Sequence, residues 1–311
     1  MPRPSATVRI LTACLTVSWG VLVSADQQQK KSSPAEYSAE VGVGAEYDSN
    51  VSVEEVDATS GEGDYALTAD LGLEAKKAFT EKVEGAVTYD FNQSLYDDFS
   101  QVDRQTHILG TDLSINGTSI DSGLSLYYIH SRLDGDKFLE LYRASPSISG
   151  FLAKKWFARG AYVYSDKSIE ERPDRDADTN AGEFDLYYFR RGLRSYFNIG
   201  YRYRDEDAEA HRYDYTSHSA KLRYIHRWEM FSRLAKLELS WRYEDRDYDG
   251  ITPSIEDERD DQRHRWRGDF EIPLVGQAAL QLYYSYSDYD SNYPQADYDQ
   301  ELVGTRIFYR W

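Results

Sequence analysis

Alternation of apolar and polar residues, repeated in segments of about ten residues, is the feature that most constrains the fold of this chain. In the segment Ala235–Glu244, every odd position is apolar or aromatic and every even position is polar or charged. Successive side chains of a strand point to opposite faces, so such a segment predicts a strand with one apolar and one polar face. Ten residues is also the length that a tilted strand needs to cross a membrane.

About fourteen such segments follow one another between Tyr37 and Trp311. An even number of strands returns both ends of the chain to the same side of a membrane. The segment Phe138–Ile148 is the weakest, because Pro146 interrupts it. The predicted strands are Tyr37–Asp48, Tyr65–Ala75, Lys82–Phe91, His107–Ile115, Ser119–His130, Phe138–Ile148, Phe157–Ser165, Glu183–Phe189, Arg194–Arg204, Ser217–Arg227, Ala235–Glu244, His264–Ile272, Ala278–Ser287 and Val303–Trp311.

The connections between these segments alternate between long acidic linkers and short turns. Short periplasmic turns and long outer loops are the asymmetry expected of an outer-membrane barrel, whereas a soluble β-sandwich has no reason to sort its loops in this way. We therefore predict an all-β protein, a single transmembrane antiparallel up-and-down barrel of about 14 strands over residues 37–311, whose last strand ends at Trp311. The long linkers are Asn50–Asp64, Gln93–Gln105, Lys167–Asn180, Asp205–Asp214, Asp245–Asp261 and Asp288–Asp299.

The N-terminus has the pattern of a secretory signal peptide. Arg3 and Arg9 precede the apolar run Ile10–Val23, and small residues at Val23-Ser24-Ala25 predict cleavage after Ala25. The run is too short for a membrane-spanning helix, which needs about 20 residues. A lipoprotein signal around Cys14 is the other alternative. We expect residues 1–25 to be the signal peptide, residues 26–36 to be a flexible periplasmic tether, and the barrel to lie in the outer membrane.

Charge and cysteine content exclude several functions. The formal net charge of −18 argues against nucleic acid as a partner. Removal of Cys14, the only cysteine, leaves no thiol for disulfides or catalysis. Outer-membrane lipid and lipopolysaccharide are the expected surroundings, and we predict neither an enzyme nor a cofactor.

The last predicted strand resembles the terminal signal that outer-membrane proteins present to the barrel assembly machinery. Ile307, Tyr309 and Trp311 share one face of a strand that begins at Gly304, and an aromatic residue stands last. An edge strand that ends in tryptophan by chance is the alternative. We interpret Gly304, Ile307, Tyr309 and Trp311 as an assembly signal, because an apolar edge of this kind is a liability unless a barrel closes over it.

Two stretches, Gly44–Val51 (GAEYDSNV) and Tyr89–Asp103 (YDFNQSLYDDFSQVD), carry a family resemblance. The chain resembles the C-terminal barrel of the surface lipoprotein assembly modifiers, the Slam proteins, without their tetratricopeptide-repeat domain. The resemblance implies movement of surface lipoproteins across the outer membrane, with a separate periplasmic tetratricopeptide-repeat protein and a surface lipoprotein as partners. A narrow porin-like channel for small charged solutes is the alternative function, and an adhesive or structural surface protein with acidic loops is a third.

Alternation also assigns charged residues to the barrel interior, where they form two predicted walls. Such walls either hold a transverse field across water or pair with each other and plug the barrel. The acidic wall consists of Glu40, Glu46, Asp70, Glu74, Glu84, Asp90, Asp112 and Asp121. The basic wall consists of Arg159, Arg194, Arg202, Arg204, Lys221, Arg223, Arg227, Arg242, Arg263, Arg265 and Arg267.

One linker matches the pattern of a calcium-binding loop. Asp245, Asp247 and Asp249 stand at positions one, three and five, a glycine follows at six, and Glu256 stands at twelve. A hard cation prefers several oxygen ligands, so these residues are the candidate calcium site; a solvated acidic loop is the alternative. The six histidines are scattered, and none has the spacing of a zinc site.

Overall fold

The computed structural model describes residues 34–311, so the predicted signal peptide and residues 26–33 of the predicted tether lie outside the described part of the chain. Sixteen strands and four short 3-10 turns make up this part. The strands are β1 (Glu36–Asp48), β2 (Ser52–Val53), β3 (Ala58–Thr59), β4 (Asp64–Ala78), β5 (Val83–Tyr96), β6 (Arg104–Ile115), β7 (Asp121–Leu133), β8 (Asp136–Ala153), β9 (Trp156–Ile169), β10 (Ala177–Phe189), β11 (Ser195–Ala208), β12 (Tyr215–Met230), β13 (Arg233–Thr252), β14 (Asp257–Pro273), β15 (Ala278–Ser291) and β16 (Tyr298–Arg310).

All strands except β2 and β3 form one closed antiparallel barrel of 14 strands, which confirms the predicted fold class. Each strand pairs with its neighbours in sequence, and β1 closes the ring by pairing with β16, with Glu40 opposite Arg310 and Asp48 opposite Leu302. The short strands β2 and β3 pair only with each other, as a small hairpin within the connection from β1 to β4.

The two faces of the barrel differ as the alternation predicts. Outward side chains such as Leu222, Leu239 and Val303 are between 45% and 49% exposed, although they are large and apolar. Inward positions are polar: Ser125 and Ser217 are fully buried. A soluble protein buries apolar groups and exposes polar ones, and this inversion is what a lipid-facing barrel requires. Within residues 34–311, no helix has the length and hydropathy needed to cross a bilayer.

The connections distinguish the two ends of the barrel. Both termini of the barrel, Glu36 and Arg310, lie at one end, which we call the turn end, and the connection from β1 to β4 lies at the other, which we call the loop end. At the loop end, the predicted linker Asp245–Asp261 is mostly strand, because β13 and β14 continue to Thr252 and from Asp257. The inward positions of this extension, such as Tyr248 and Asp261, are buried, so it continues the barrel wall.

Pro146 lies inside β8 rather than ending it. It stands opposite Leu124 of β7, while the pairing of β8 with β9 is interrupted between Ala144 and Ser147 and resumes in the same register. A proline has no N–H to donate, so one gap in the ladder is the expected consequence. The weakest of the predicted strands is therefore a strand of the barrel.

Candidate functional site

The connection from β1 to β4, residues 49–63, folds into the barrel; we call it the inward loop. Its 3-10 turn Glu54–Val56 follows β2 directly, and Asp57, in the left-handed region with a φ of 52°, turns the chain into β3. Three acidic side chains at the tip contact arginines that belong to different sectors of the barrel wall. The loop therefore crosses the lumen instead of standing above it.

Asp57 makes the most buried of these contacts. Arg259 of β14 donates to both Asp57 carboxylate oxygens, at 2.9 and 3.0 Å, and Arg175, between β9 and β10, donates to Oδ2 at 2.6 Å. The side chains of Arg259 and Asp57 are only 3% and 6% exposed. Burial raises the pKa of the Asp57 carboxyl, but Arg259 and Arg175 lower it by more, so this pKa lies far below its ordinary value.

The two glutamates of the tip bind the wall at β14 and β15 and at β6. Arg265 of β14 donates to Glu54 Oε1 at 2.6 Å, and the Tyr289 hydroxyl of β15 donates to the same oxygen at 2.7 Å. Arg104 of β6 donates to Glu55 Oε1 at 2.8 Å. We call Arg104, Arg175, Arg259 and Arg265 the arginine clamp.

An apolar contact holds the inward loop against another part of the wall, at β7 and β8. Val53 is 5% exposed and packs in a cluster with Ile129 of β7 and Leu141 of β8, and Val56 packs against the same cluster. The base of the loop is fixed at the seam between β1 and β16, where the Gln300 amide donates to both oxygens of Asp48, at 3.0 and 2.9 Å. The loop is thus a seated plug with apolar and ionic contacts.

Two neighbouring cavities in the described part of the lumen share lining residues. The larger, of about 420 Å³, borders the acidic tip of the inward loop; the smaller, of about 180 Å³, shares Arg202, Arg242 and Arg267 with it. Twelve cationic and eight acidic residues line the larger cavity, and nine cationic and five acidic residues line the smaller. The lining is therefore net positive in a protein whose formal net charge is −18.

Many residues of the two predicted walls lie at these cavities. The larger cavity is bordered by Glu46, Asp70, Arg202, Arg204, Arg242, Arg263, Arg265 and Arg267. The smaller one is bordered by Arg159, Lys221 and Arg223 as well.

The remaining members of the predicted walls lie elsewhere. Glu40 binds Arg306 at 2.8 Å and Arg310 at 2.6 Å near the turn end. Glu84 pairs with Lys76 at 2.7 Å, Glu74 accepts a bond from Ser38, Asp112 accepts a bond from Tyr127, and Asp90 is buried. Asp121 accepts a bond from the Gly117 N–H in a turn, and Arg227 donates to the Leu193 carbonyl at the turn end. The predicted inward position of Arg194 is wrong. This residue is exposed in the turn before β11, because that strand begins one residue later.

The basic wall is not purely basic, which is a second difference from the sequence analysis. Asp269 stands two residues from Arg267 on the same inward face and binds it at 2.8 Å, and Asp185 binds Lys221 at 2.8 Å. Acidic residues that the walls omitted are interleaved along β10 to β14: Glu183, Asp185, Glu206, Glu238, Glu244, Asp261, Asp269 and Glu271. The two walls therefore pair locally, and only the excess of arginine gives the lumen its sign.

Aromatic side chains narrow the lumen near the turn end. Phe157, Tyr187 and Phe189 are buried together on the inward faces of β9 and β10, and Tyr196 of β11 packs against them. Opposite charges also pair at this end, where Arg310 binds Glu271 at 2.8 Å. Passage through the barrel is thus restricted at the loop end by the inward loop and at the turn end by aromatic and ionic side chains.

The candidate calcium loop is not a loop, which corrects that prediction. Asp245, Asp247 and Asp249 lie on β13, and Glu256 lies in the turn that follows it. A calcium loop curls its ligands around one point, whereas alternate residues of an extended strand are spread along it. Among residues 34–311, no group of three or more His, Cys, Asp or Glu side chains is placed to hold a metal ion.

The residues of the predicted assembly signal lie on and just after β16. Ile307, Tyr309 and Trp311 face outward and are 52%, 44% and 57% exposed. Trp311 continues the pairing beyond the strand, since its N–H and carbonyl both bond to Ala39 at 3.0 Å. Gly304 faces inward instead, where a Cβ atom would overlap the Tyr283 ring.

Comparisons with known proteins identify the fold. No protein-family model matches this chain, and no curated protein does. Among solved structures, it is similar to an anion-selective porin from Comamonas acidovorans, with 9% identity, a TM-score of 0.53, and coverage of 90% of this chain and 100% of that chain. It is also similar to the outer membrane channel DcaP of Acinetobacter baumannii, with 11% identity, a TM-score of 0.55, and coverage of 90% and 98%. The chain has the fold of an outer-membrane channel barrel.

Proposed function

We propose that this chain is an outer-membrane channel that transports small anions across a narrow lumen. The observation that carries this proposal is the net-positive lining of both cavities inside a strongly acidic protein. A low-dielectric wall focuses the field of such a lining, so anions concentrate in the lumen and cations are excluded. The similar fold of an anion-selective porin supports selectivity for anions over cations.

The test is the reversal potential of the refolded barrel in a planar bilayer that separates two KCl concentrations. Arg242 borders both cavities, so Arg242→Gln removes one positive charge from the path. A charge about 6 Å from a passing ion contributes about 0.7 kcal/mol in water, so we expect the ratio of chloride to potassium permeability to fall about threefold. The salt should be near 0.1 M, because higher concentrations screen the charge.

Lys154→Gln provides the matched control. Lys154 is exposed in the turn between β8 and β9 and carries the same charge outside the lumen. We expect its permeability ratio to equal that of the unchanged protein. A cation-selective barrel, or equal effects of the two substitutions, would contradict the proposed function.

A role in lipoprotein surface assembly is the second candidate, and the resemblance at Gly44–Val51 favours it. This stretch forms the end of β1 and the start of the inward loop, so the resembling residues lie beside the plug. The small cavities and the internal ion pairs leave no path for a folded lipoprotein. The test is the amount of a lipoprotein reporter at the cell surface, with and without this barrel and a periplasmic tetratricopeptide-repeat protein; the anion channel predicts no difference.

A further inference from the structure

The arginine clamp has the composition of an anion-binding site that is already occupied. Glu54, Glu55 and Asp57 place three carboxylates within four residues, and each carboxylate binds at least one clamp arginine at 2.6 to 2.9 Å. Arginine binds carboxylates through fixed N–H groups, and it does so whether the carboxylate belongs to a side chain or to a free molecule. The tip of the inward loop therefore stands where a free polycarboxylate has its binding partners.

The clamp can be reached from the lumen. Arg104, Arg175 and Arg265 border the larger cavity, and so do Glu54 and Asp57. Arg263 and Arg267 border it too, and Arg267 also borders the smaller cavity. A small anion in the 420 Å³ cavity thus meets three clamp arginines while the loop is still seated.

Withdrawal of the loop without a replacement anion is unfavourable. Arg259 and Arg175 have side chains only 3% and 11% exposed, and removal of Asp57 takes from each a charged partner that water cannot fully replace. A ligand that supplies several carboxylates removes this penalty, whereas a single carboxylate replaces only one of the three contacts. Val53 adds an apolar contact that keeps the loop seated at rest.

We propose that the arginine clamp is a binding site for small di- and tricarboxylates, and that the inward loop is its displaceable internal occupant. This inference rests on the proposed anion channel and names its substrate class. The substrate competes with Glu54, Glu55 and Asp57 for the arginines, and the loop is released when the substrate binds in their place. The barrel therefore opens most readily to the anions that it carries.

The test measures whether Val53 becomes accessible. Residues 34–311 contain no cysteine, so Val53→Cys introduces a single thiol at a site that is 5% exposed in the seated loop. Its rate of reaction with an uncharged maleimide reports release of the loop. Propane-1,2,3-tricarboxylate should accelerate the reaction at least tenfold and saturably, and acetate at matched ionic strength should not.

Ala58→Cys is the matched control, since Ala58 is exposed on β3 of the same hairpin. Its labelling rate should not change with either anion. Equal acceleration of Val53→Cys by acetate and by the tricarboxylate, or no acceleration by either, overturns the inference. If Val53→Cys does not fold to a heat-modifiable barrel, single-channel recordings of the unchanged protein test the inference instead. The tricarboxylate must then raise the fraction of time in the high-conductance state, and acetate must not.

The reversal potential of the same protein separates the two proposals. A barrel that is anion-selective but shows no tricarboxylate-dependent release refutes the clamp inference and leaves the anion channel in place. A barrel that is cation-selective refutes both.

Discussion

The substitution Asp57→Asn tests whether the ionic contacts of the inward loop hold it in place. Asparagine has the same shape as aspartate but lacks the charge that faces Arg259 and Arg175. Breaking a buried ion pair by removal of one partner costs about 3–5 kcal/mol. Here the loss is smaller, because Arg259 keeps Asp261 at 2.7 Å and the asparagine oxygen still accepts a hydrogen bond. We expect the seated loop to lose about 1.5–3 kcal/mol.

This loss converts into a change of the loop equilibrium. Each 1.4 kcal/mol corresponds to about tenfold, so the ratio of released to seated loop should rise between about tenfold and a hundredfold. Single-channel recording in planar bilayers measures this ratio as the time spent at high against low conductance. The effect should appear mainly as a shorter lifetime of the low-conductance state, because the seated loop is the state that Asp57 stabilises.

The control is Glu62→Gln, which removes the same charge from an exposed residue of the same loop. It should leave the ratio unchanged within about fivefold, since exposed charges contribute less than about 1 kcal/mol. The reasoning is refuted if Asp57→Asn and Glu62→Gln behave alike, because the clamp would then not hold the loop.

Three further predictions concern pH, packing and assembly. The carboxyl of Asp57 has a lowered pKa in the seated loop, so its stabilisation of the seated loop is present above the ordinary pKa and is lost as pH falls below it. The fraction of open channels should therefore be flat from pH 8 to about 4 and rise only below that. A rise between pH 7 and 5 would contradict this prediction. Gly304→Ala should push the Tyr283 ring aside and weaken its 2.7 Å hydrogen bond to Glu46. The free energy of unfolding measured in urea should fall by about 1–3 kcal/mol. An unchanged unfolding midpoint would show that the ring has room to move. Trp311→Ala should lower the amount of barrel assembled in cells severalfold while refolding in detergent is unaffected; equal loss in both settings would mean that Trp311 acts through stability instead.

The barrel was predictable from sequence because alternate residues of a strand point to its two faces, one toward lipid and one toward the lumen. Strand number and order follow from this alternation, and even β8 keeps it across Pro146. The ends of the strands were less predictable. In β13 and β14 the alternation continues past the predicted strand ends in charged residues, such as inward Arg246 and Arg259 against outward Asp247, so the sequence predicts a loop there.

The charge pairing of the lumen was not predictable in the same way. Which acid meets Arg267 depends on the local spacing and on the register of the strands, and sequence position alone does not show either. The inward loop was missed as well, although it carries a signal. Val51, Val53 and Val56 are apolar residues within an acidic linker, and a solvated loop has no need of them. All three are at least half-buried in the structure.

The seating of the inward loop also determines when it can form. Asp57 can bind Arg259 only after the 202 residues up to that arginine have been added to the fold, and Glu54 binds Arg265, which follows it by 211 residues. The base of the loop depends on Gln300, in the strand that closes the ring. Contacts this distant in sequence form late, after the intervening chain has been ordered. The complete seat of the loop therefore requires the same last strand that closes the ring, so it cannot form before nearly the whole barrel sequence has been ordered.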